Sequence, residues 1–323
     1  MLPPPPTVVD ADVLLRNVDF AWRKGRPGAL IALADGHYSM TSGVGLFAAV
    51  EVRTEVERHL ADFARHRKAP QDSFWRVWEE QVGPKVRFVV VDRDALADSR
   101  IEGTDPKDRP TARLAAVLAP CVIATDNRRH YKPFELGTTK TDNVALDLRQ
   151  IGGVTVATKG ALIPPRLLIA GIGELARGLD ARIGRGPTAA VILLVVATLG
   201  LIASSERAGS LRQRLAEAGR EAWPLVAHQL LRASEAGERI EAFAIQPGSD
   251  SSSPMAMVAR YLATRQPLAT TNQIAELLTG AGFGFSGKRH QMATRAWLLA
   301  CSCFDEVGRD RWALGCHSVN AER

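Results

Sequence analysis

Asp108 and Asp126 are the residues whose placement most directly suggests chemistry. Asp108, followed by Pro110, reads as the start of a short Ala/Leu-rich helix that Pro120 closes, and Cys121 to Ala124 then reads as a buried strand ending at Asp126. In an open parallel sheet ligands sit beyond the carboxyl ends of the strands, so both acids are expected to face one crevice. Two carboxylates converging there suit a hard divalent cation. Taken singly, each acid has a plainer explanation, Asp108 as a helix N-cap and Asp126 as a turn residue. Further acids in the first half of the chain shift the balance. Asp10 ends the β-branched run Thr7-Val8-Val9, and Glu51 and Glu55 lie four apart on a helix read from Ala48 to Arg67, whose apolar stripe is Val52, Val56, Leu60 and Phe63.

The elements that must position these acids alternate along the chain. After Asp10 comes a helix carrying Leu14, Leu15 and Val18, and Val86 to Val91 is a strongly β-favouring run that leads through the polar segment 92–107 to Asp108. A helix from Asp142 and a last strand at Val154 to Thr158 complete the pattern. Alternating strands and helices imply an α/β fold, a parallel sheet flanked by helices. Phe74-Trp75-Arg76-Val77-Trp78 interleaves aromatics with a cation, as a base-stacking surface would, but a half-buried helix is the commoner use of such a run.

Together, Val8 to Leu15, Glu55-Val56-Glu57-Arg58-His59-Leu60, Asp105-Pro-Lys-Asp108 and Val122-Ile-Ala-Thr-Asp126 resemble the PIN domain, a three-layer nuclease fold with an acidic cluster that binds Mg²⁺ or Mn²⁺. The resemblance covers roughly residues 6–158. By position it implies that Asp10, Glu55, Asp108 and Asp126 are the catalytic and metal-binding acids, with Asp105 as an accessory ligand. Two departures stand out. The family usually has Asn or Ser where this chain has Asp12, and its last acid commonly stands two places after a Thr or Ser, a place taken here by Asn127. The resemblance implies hydrolysis of RNA, single-stranded rather than duplex, by a metal-activated water. Arg109, Arg113, Arg128, Arg129, His130 and Lys132 flank the acids and could hold neighbouring phosphates. A toxin or defence effector, with an antitoxin or regulatory protein as partner, is the biological setting the resemblance suggests.

Composition agrees with a globular chain, 46% hydrophobic and 24% charged, and excludes a disordered one. Its length of 323 residues allows two domains, and the net charge of +6 suits a polyanionic partner such as nucleic acid or an acidic membrane. Cys121, Cys301, Cys303 and Cys316 show no paired spacing, which argues against a disulfide framework. Cys301, Cys303 and Cys316 with His317 are too irregularly spaced to read as a zinc site. The proline-rich start shows no basic region followed by an apolar core, so no signal peptide is expected.

The second half reads as a helical linker over 159–245, a flexible segment over 246–254 and a small module over 255–323. That module's three helices and closing hairpin resemble a winged helix, with Lys288, Arg289, His290, Gln291 and Arg295 on the candidate recognition helix. Within the linker, Pro187 to Ser205 contains no charged residue and approaches the length of about 20 residues that spans a bilayer. A transmembrane tether is therefore expected, with membrane lipid as partner and the PIN-like domain at the inner, cytoplasmic side. A buried helix in a soluble cytoplasmic protein is the alternative. Arginines flank the run on both sides and do not decide its orientation. A catalytically inactive nucleic-acid-binding or scaffolding membrane protein is the competing reading of function.

If the run crosses a membrane, the intact protein should sediment with membranes and resist high-salt extraction. Leu194→Arg should cost about 2.5 to 3.5 kcal/mol of insertion free energy and move protein to the soluble fraction. Recovery of the unaltered chain wholly as a soluble species would show the run to be a core helix.

Overall fold

The computed structural model describes residues 5–34, 44–93, 96–135, 144–151, 227–228, 231–248, 253–264, 268–283 and 290–315. The expected strand at 154–158 and the apolar run 187–205 lie outside them, as do Lys288, Arg289, Cys316 and His317. Among the described residues no helix is long and apolar enough to cross a membrane.

Strands β1 (Thr7–Val9), β2 (Leu46–Ala49), β3 (Arg87–Val89) and β4 (Val122–Ala124) form a parallel sheet in the order β3-β2-β1-β4. Every residue in the four is buried, the pattern of a sheet covered on both faces. Val8, Phe47, Val89 and Ile123 share one core with helix α6 (Arg109–Leu118). Phe88, which must point the other way from Val89, meets Trp78 edge-on with ring centroids 6.0 Å apart. The result is a three-layer α/β arrangement.

Each helix near the sheet starts where a strand stops. Helix α1 (Ala11–Lys24) begins one residue after β1 with Asp10 as its N-cap, and Gly25, at φ 65°, ends it by donating its N–H to the Ala21 carbonyl. A short α2 (Ala29–Leu33) follows. Helix α3 (Val50–His66) continues directly from β2. The sequence expectation that this helix begins at Ala48 is corrected here: Leu46–Ala49 pair with β1 and β3 as a strand. Helix α4 (Gln71–Val77) buries Phe74 and Trp78 completely, so that aromatic run belongs to the core and is not a base-stacking face. A four-residue α5 (Ser99–Glu102) precedes α6.

The C-terminal residues belong to the same compact unit as the sheet, which comprises Pro5–Met40, Val44–Val144 and Ala242–Arg323. Helix α7 (Pro254–Thr264) packs on α6, and the core running from Val8 and Leu114 continues through Leu262, Leu278 and Leu298 to Trp312. Polar contacts reinforce it. Arg260 Nη1 donates to the Ala119 carbonyl at 3.1 Å, and the Ile245 N–H donates to the Cys121 carbonyl at 2.8 Å. Helices α8 (Thr271–Gly280) and α9 (His290–Ala300) pack on each other. Strands β5 (Ala269–Thr270), β6 (Phe304–Glu306) and β7 (Arg311–Leu314) form an antiparallel sheet in the order β5-β7-β6. On α9, Arg295 is engaged by Glu306 at 2.8 Å. A second unit spans Ala145–Glu241, and in its described part Arg239 clamps the buried Asp147 at 2.8 Å.

Because sheet and C-terminal helices share one core, Leu262→Ala should destabilise the whole unit by about 2 to 5 kcal/mol. Native-state hydrogen exchange should show amides of β1–β4 and of α7 losing protection together. Loss confined to α7–α9 would contradict a shared core.

Candidate metal centre

Asp10 is the fixed point of the site. It sits where β1 ends and α1 begins, is 6% exposed, and its own N–H donates to the Ala124 carbonyl of β4 at 3.1 Å. Its Oδ2 accepts the Thr125 hydroxyl at 3.0 Å and the Tyr131 hydroxyl at 2.9 Å, while Oδ1 accepts the Ala11 N–H at 3.0 Å. Thr125 in turn accepts the Asn127 N–H at 3.0 Å, which shapes the turn leaving β4. That turn runs into the 3₁₀ segment Arg128–Phe134, which delivers the wholly buried Tyr131. Burial first, then the charges of Asp10 and Asp108, raises the Tyr131 phenol well above its ordinary range, so it remains a donor.

Asp108 and Glu55 converge on this acid. Asp108 occupies the N-cap position of α6 but makes no side-chain capping bond. Its Oδ2 lies 2.8 Å from His130 Nδ1 instead. The plain capping explanation therefore does not account for its carboxylate. Glu55, half-buried on the second turn of α3, feels the charges of both Asp10 and Asp108, whereas Glu51 is exposed. Burial, and after it the charge of Asp10, raises the carboxyls of Glu55 and Asp108; His130 partly offsets the shift at Asp108.

Asp12 is the acid that sequence reasoning left out of the set. It lies on the first turn of α1, and burial followed by the charge of Asp10 raises its carboxyl to about 6. Its Oδ2 accepts the Asp126 N–H at 3.0 Å, and its Oδ1 is buried with no hydrogen-bond partner among the described residues. The signal was visible as an acid where Asn or Ser is usual. Asp126 itself is exposed and forms an ion pair with Arg16, so the structure brings it to the rim of the crevice and not among the buried acids.

At the outer edge, ligand atoms of Asp105, Asp108 and His130 lie within 4.8 Å of one another. Arg109 is committed to its own neighbourhood, donating to the Glu102 carbonyl at 2.9 Å and to the Thr104 carbonyl at 3.3 Å. With Arg93 and Arg113 it lines an open cleft of about 870 Å³ beside α5 and α6. Arg128 is half-buried, and burial lowers its guanidinium, while Arg129 is exposed on the same turn.

The donor set fits a hard divalent cation. Buried carboxylates whose charges raise one another, and one buried carboxylate oxygen without a donor, describe a site with negative charge to spare and no internal cation to answer it. No protein-family model, curated protein or solved structure matches this chain.

The raised carboxyls set a pH dependence. Asp12 has an ordinary value of 3.8 and a folded value of about 6, so between the two the folded chain holds more protons than the unfolded one. Stability then falls as pH rises through that window, the opposite of a salt-bridged acid. In chelator, the melting temperature of the wild type should fall relative to Asp12→Asn as pH is raised from about 4 to about 6. Parallel curves for the two proteins would contradict the assignment of that repulsion to Asp12.

Proposed function

We propose that the chain is a metal-dependent endoribonuclease of PIN type. The observation that carries the reading is the convergence of Asp10, Glu55 and Asp108 at the carboxyl edge of a parallel sheet of order β3-β2-β1-β4, each acid delivered by a different element. When bound, Mg²⁺ or Mn²⁺ would polarise the phosphodiester, acidify the attacking water and neutralise the charge that develops on phosphate.

The protein's own groups do the rest. Thr125 and Tyr131 hold the Asp10 carboxylate in one orientation, so no reorganisation is needed when substrate arrives. His130 faces Asp108 through Nδ1, which fixes the ring and leaves Nε2 to hold a proton or a phosphate oxygen. Arg128 and Arg129, on the turn that carries His130, are placed to steer the RNA backbone, and the net charge of +6 supports the approach of a polyanion. Single-stranded RNA is the favoured substrate. The wider proposal keeps the role of toxin or defence effector with an antitoxin or regulatory partner, the tether through 187–205 at the inner face of a membrane, and a winged-helix likeness for α7–α9 with β5–β7.

A specific contact favours a second reading. The pairing of Arg16 with Asp126 removes one of the expected acids, as would occur in an inactive nucleic-acid-binding or scaffolding descendant of the fold.

Purified protein should cleave single-stranded RNA with Mn²⁺ or Mg²⁺ and stop when chelator is added. Asp10→Asn should reduce the rate at least by the roughly 10- to 100-fold that loss of an outer-shell partner costs a metal site. Cleavage that survives chelation, or full activity in that variant, would refute the nuclease reading. Absence of cleavage together with metal-insensitive RNA binding would favour the scaffold.

A further inference from the structure

We propose that Asp12, in place of Asp126, supplies the fourth carboxylate of the metal centre, and that Arg16 holds Asp126 outside it. The inference rests on the metal-centre reading above and concerns which side chains complete it.

Asp12 is held but not satisfied. Its Oδ2 is engaged by the Asp126 N–H at 3.0 Å, which fixes the carboxylate's orientation, and its Oδ1 is buried without a partner among the described residues. A buried carboxylate oxygen without a donor is costly, and folded proteins rarely leave one unless something else is to meet it. The same helix shows how this fold treats an acid whose role is structural. Asp19, also buried, is gripped by Arg67 at 2.6 and 2.8 Å and by Arg23 at 3.1 Å. Asp12 has no comparable grip, and it lies near enough to Asp10 and Asp108 to feel both charges.

Asp126 is in the reverse position. Its side chain is 35% exposed and ion-paired with Arg16, so its charge is already answered. Arg16 lies one turn beyond Asp12 on α1. The backbone at Asp126 still serves the site, because its N–H orients Asp12, but its carboxylate faces a cation that the protein itself provides. One helix therefore supplies three parts of the arrangement: the N-cap acid Asp10, the unsatisfied acid Asp12, and the arginine that draws Asp126 away.

The test is Mn²⁺ titration of the full-length protein by calorimetry, for wild type, Asp12→Asn, Asp126→Asn and Arg16→Ala, with thermal unfolding of each in chelator. Asp12→Asn should weaken Mn²⁺ binding by about tenfold or more. It should also melt higher than wild type in chelator at neutral pH, because the unrelieved repulsion is gone. Asp126→Asn and Arg16→Ala should leave affinity within about threefold, less than the loss of even an outer-shell partner. Asp12→Ser makes the same comparison with a smaller neutral side chain should the asparagine variant fold poorly. Wild-type affinity in the Asp12 variants, or a tenfold loss in Asp126→Asn, would overturn the assignment while leaving the metal centre standing. Failure of the wild type to bind Mn²⁺ would remove the metal centre itself, and this inference with it.

Discussion

The structure depends on a buried negative charge at the end of a central strand. Asp10 is held there by two hydroxyls that come from β4 and from the 3₁₀ turn beyond it, and by the first N–H of α1. These contacts tie together the strand, the helix that leaves it, and the neighbouring strand with its exit turn. Having spent its donors on Asp10, the fold leaves Glu55, Asp108 and Asp12 to face that charge with little compensation, and their carboxyls are all raised. Such mutual repulsion is tolerated in a folded chain when another partner relieves it.

Charge elsewhere is managed differently, which makes the contrast informative. Asp19 is buried against two arginines, and Asp147 is clamped by Arg239. These acids meet guanidinium groups within the protein, as structural carboxylates usually do. At the carboxyl edge of the sheet the nearest cationic groups are His130, bonded to Asp108, and Arg16, turned to Asp126. Neither enters among Asp10, Asp12 and Glu55 as a hydrogen-bond partner in the described contacts, so the centre keeps its excess charge.

Much of this arrangement was legible in the sequence because it rests on local signals. Val8-Val9-Asp10 reads as a strand that ends in a cap, Asp108 with Pro110 reads as a helix start, and both hold in the structure. Strand β2 was not legible, because Leu46–Ala49 runs without a break into a helix and its apolar residues continue the helical stripe. The continuity of the C-terminal helices with the sheet's core was hidden for a different reason. It depends on α6 presenting a second apolar face to α7, a tertiary fact that no spacing within either helix announces. The roles of Asp12 and Asp126 lay beyond reach as well, since an ion pair with Arg16 and an N–H donated across two elements decide which carboxylate is free.

Crystals soaked in Mn²⁺ and measured at a wavelength that gives anomalous scattering test the central claim most directly. The account predicts a peak among the carboxylates of Asp10, Glu55 and Asp108, with oxygens at roughly the 2.0 to 2.6 Å typical of hard divalent ions. A peak confined to the outer edge at Asp105 and His130, or no peak at saturating metal, would contradict it.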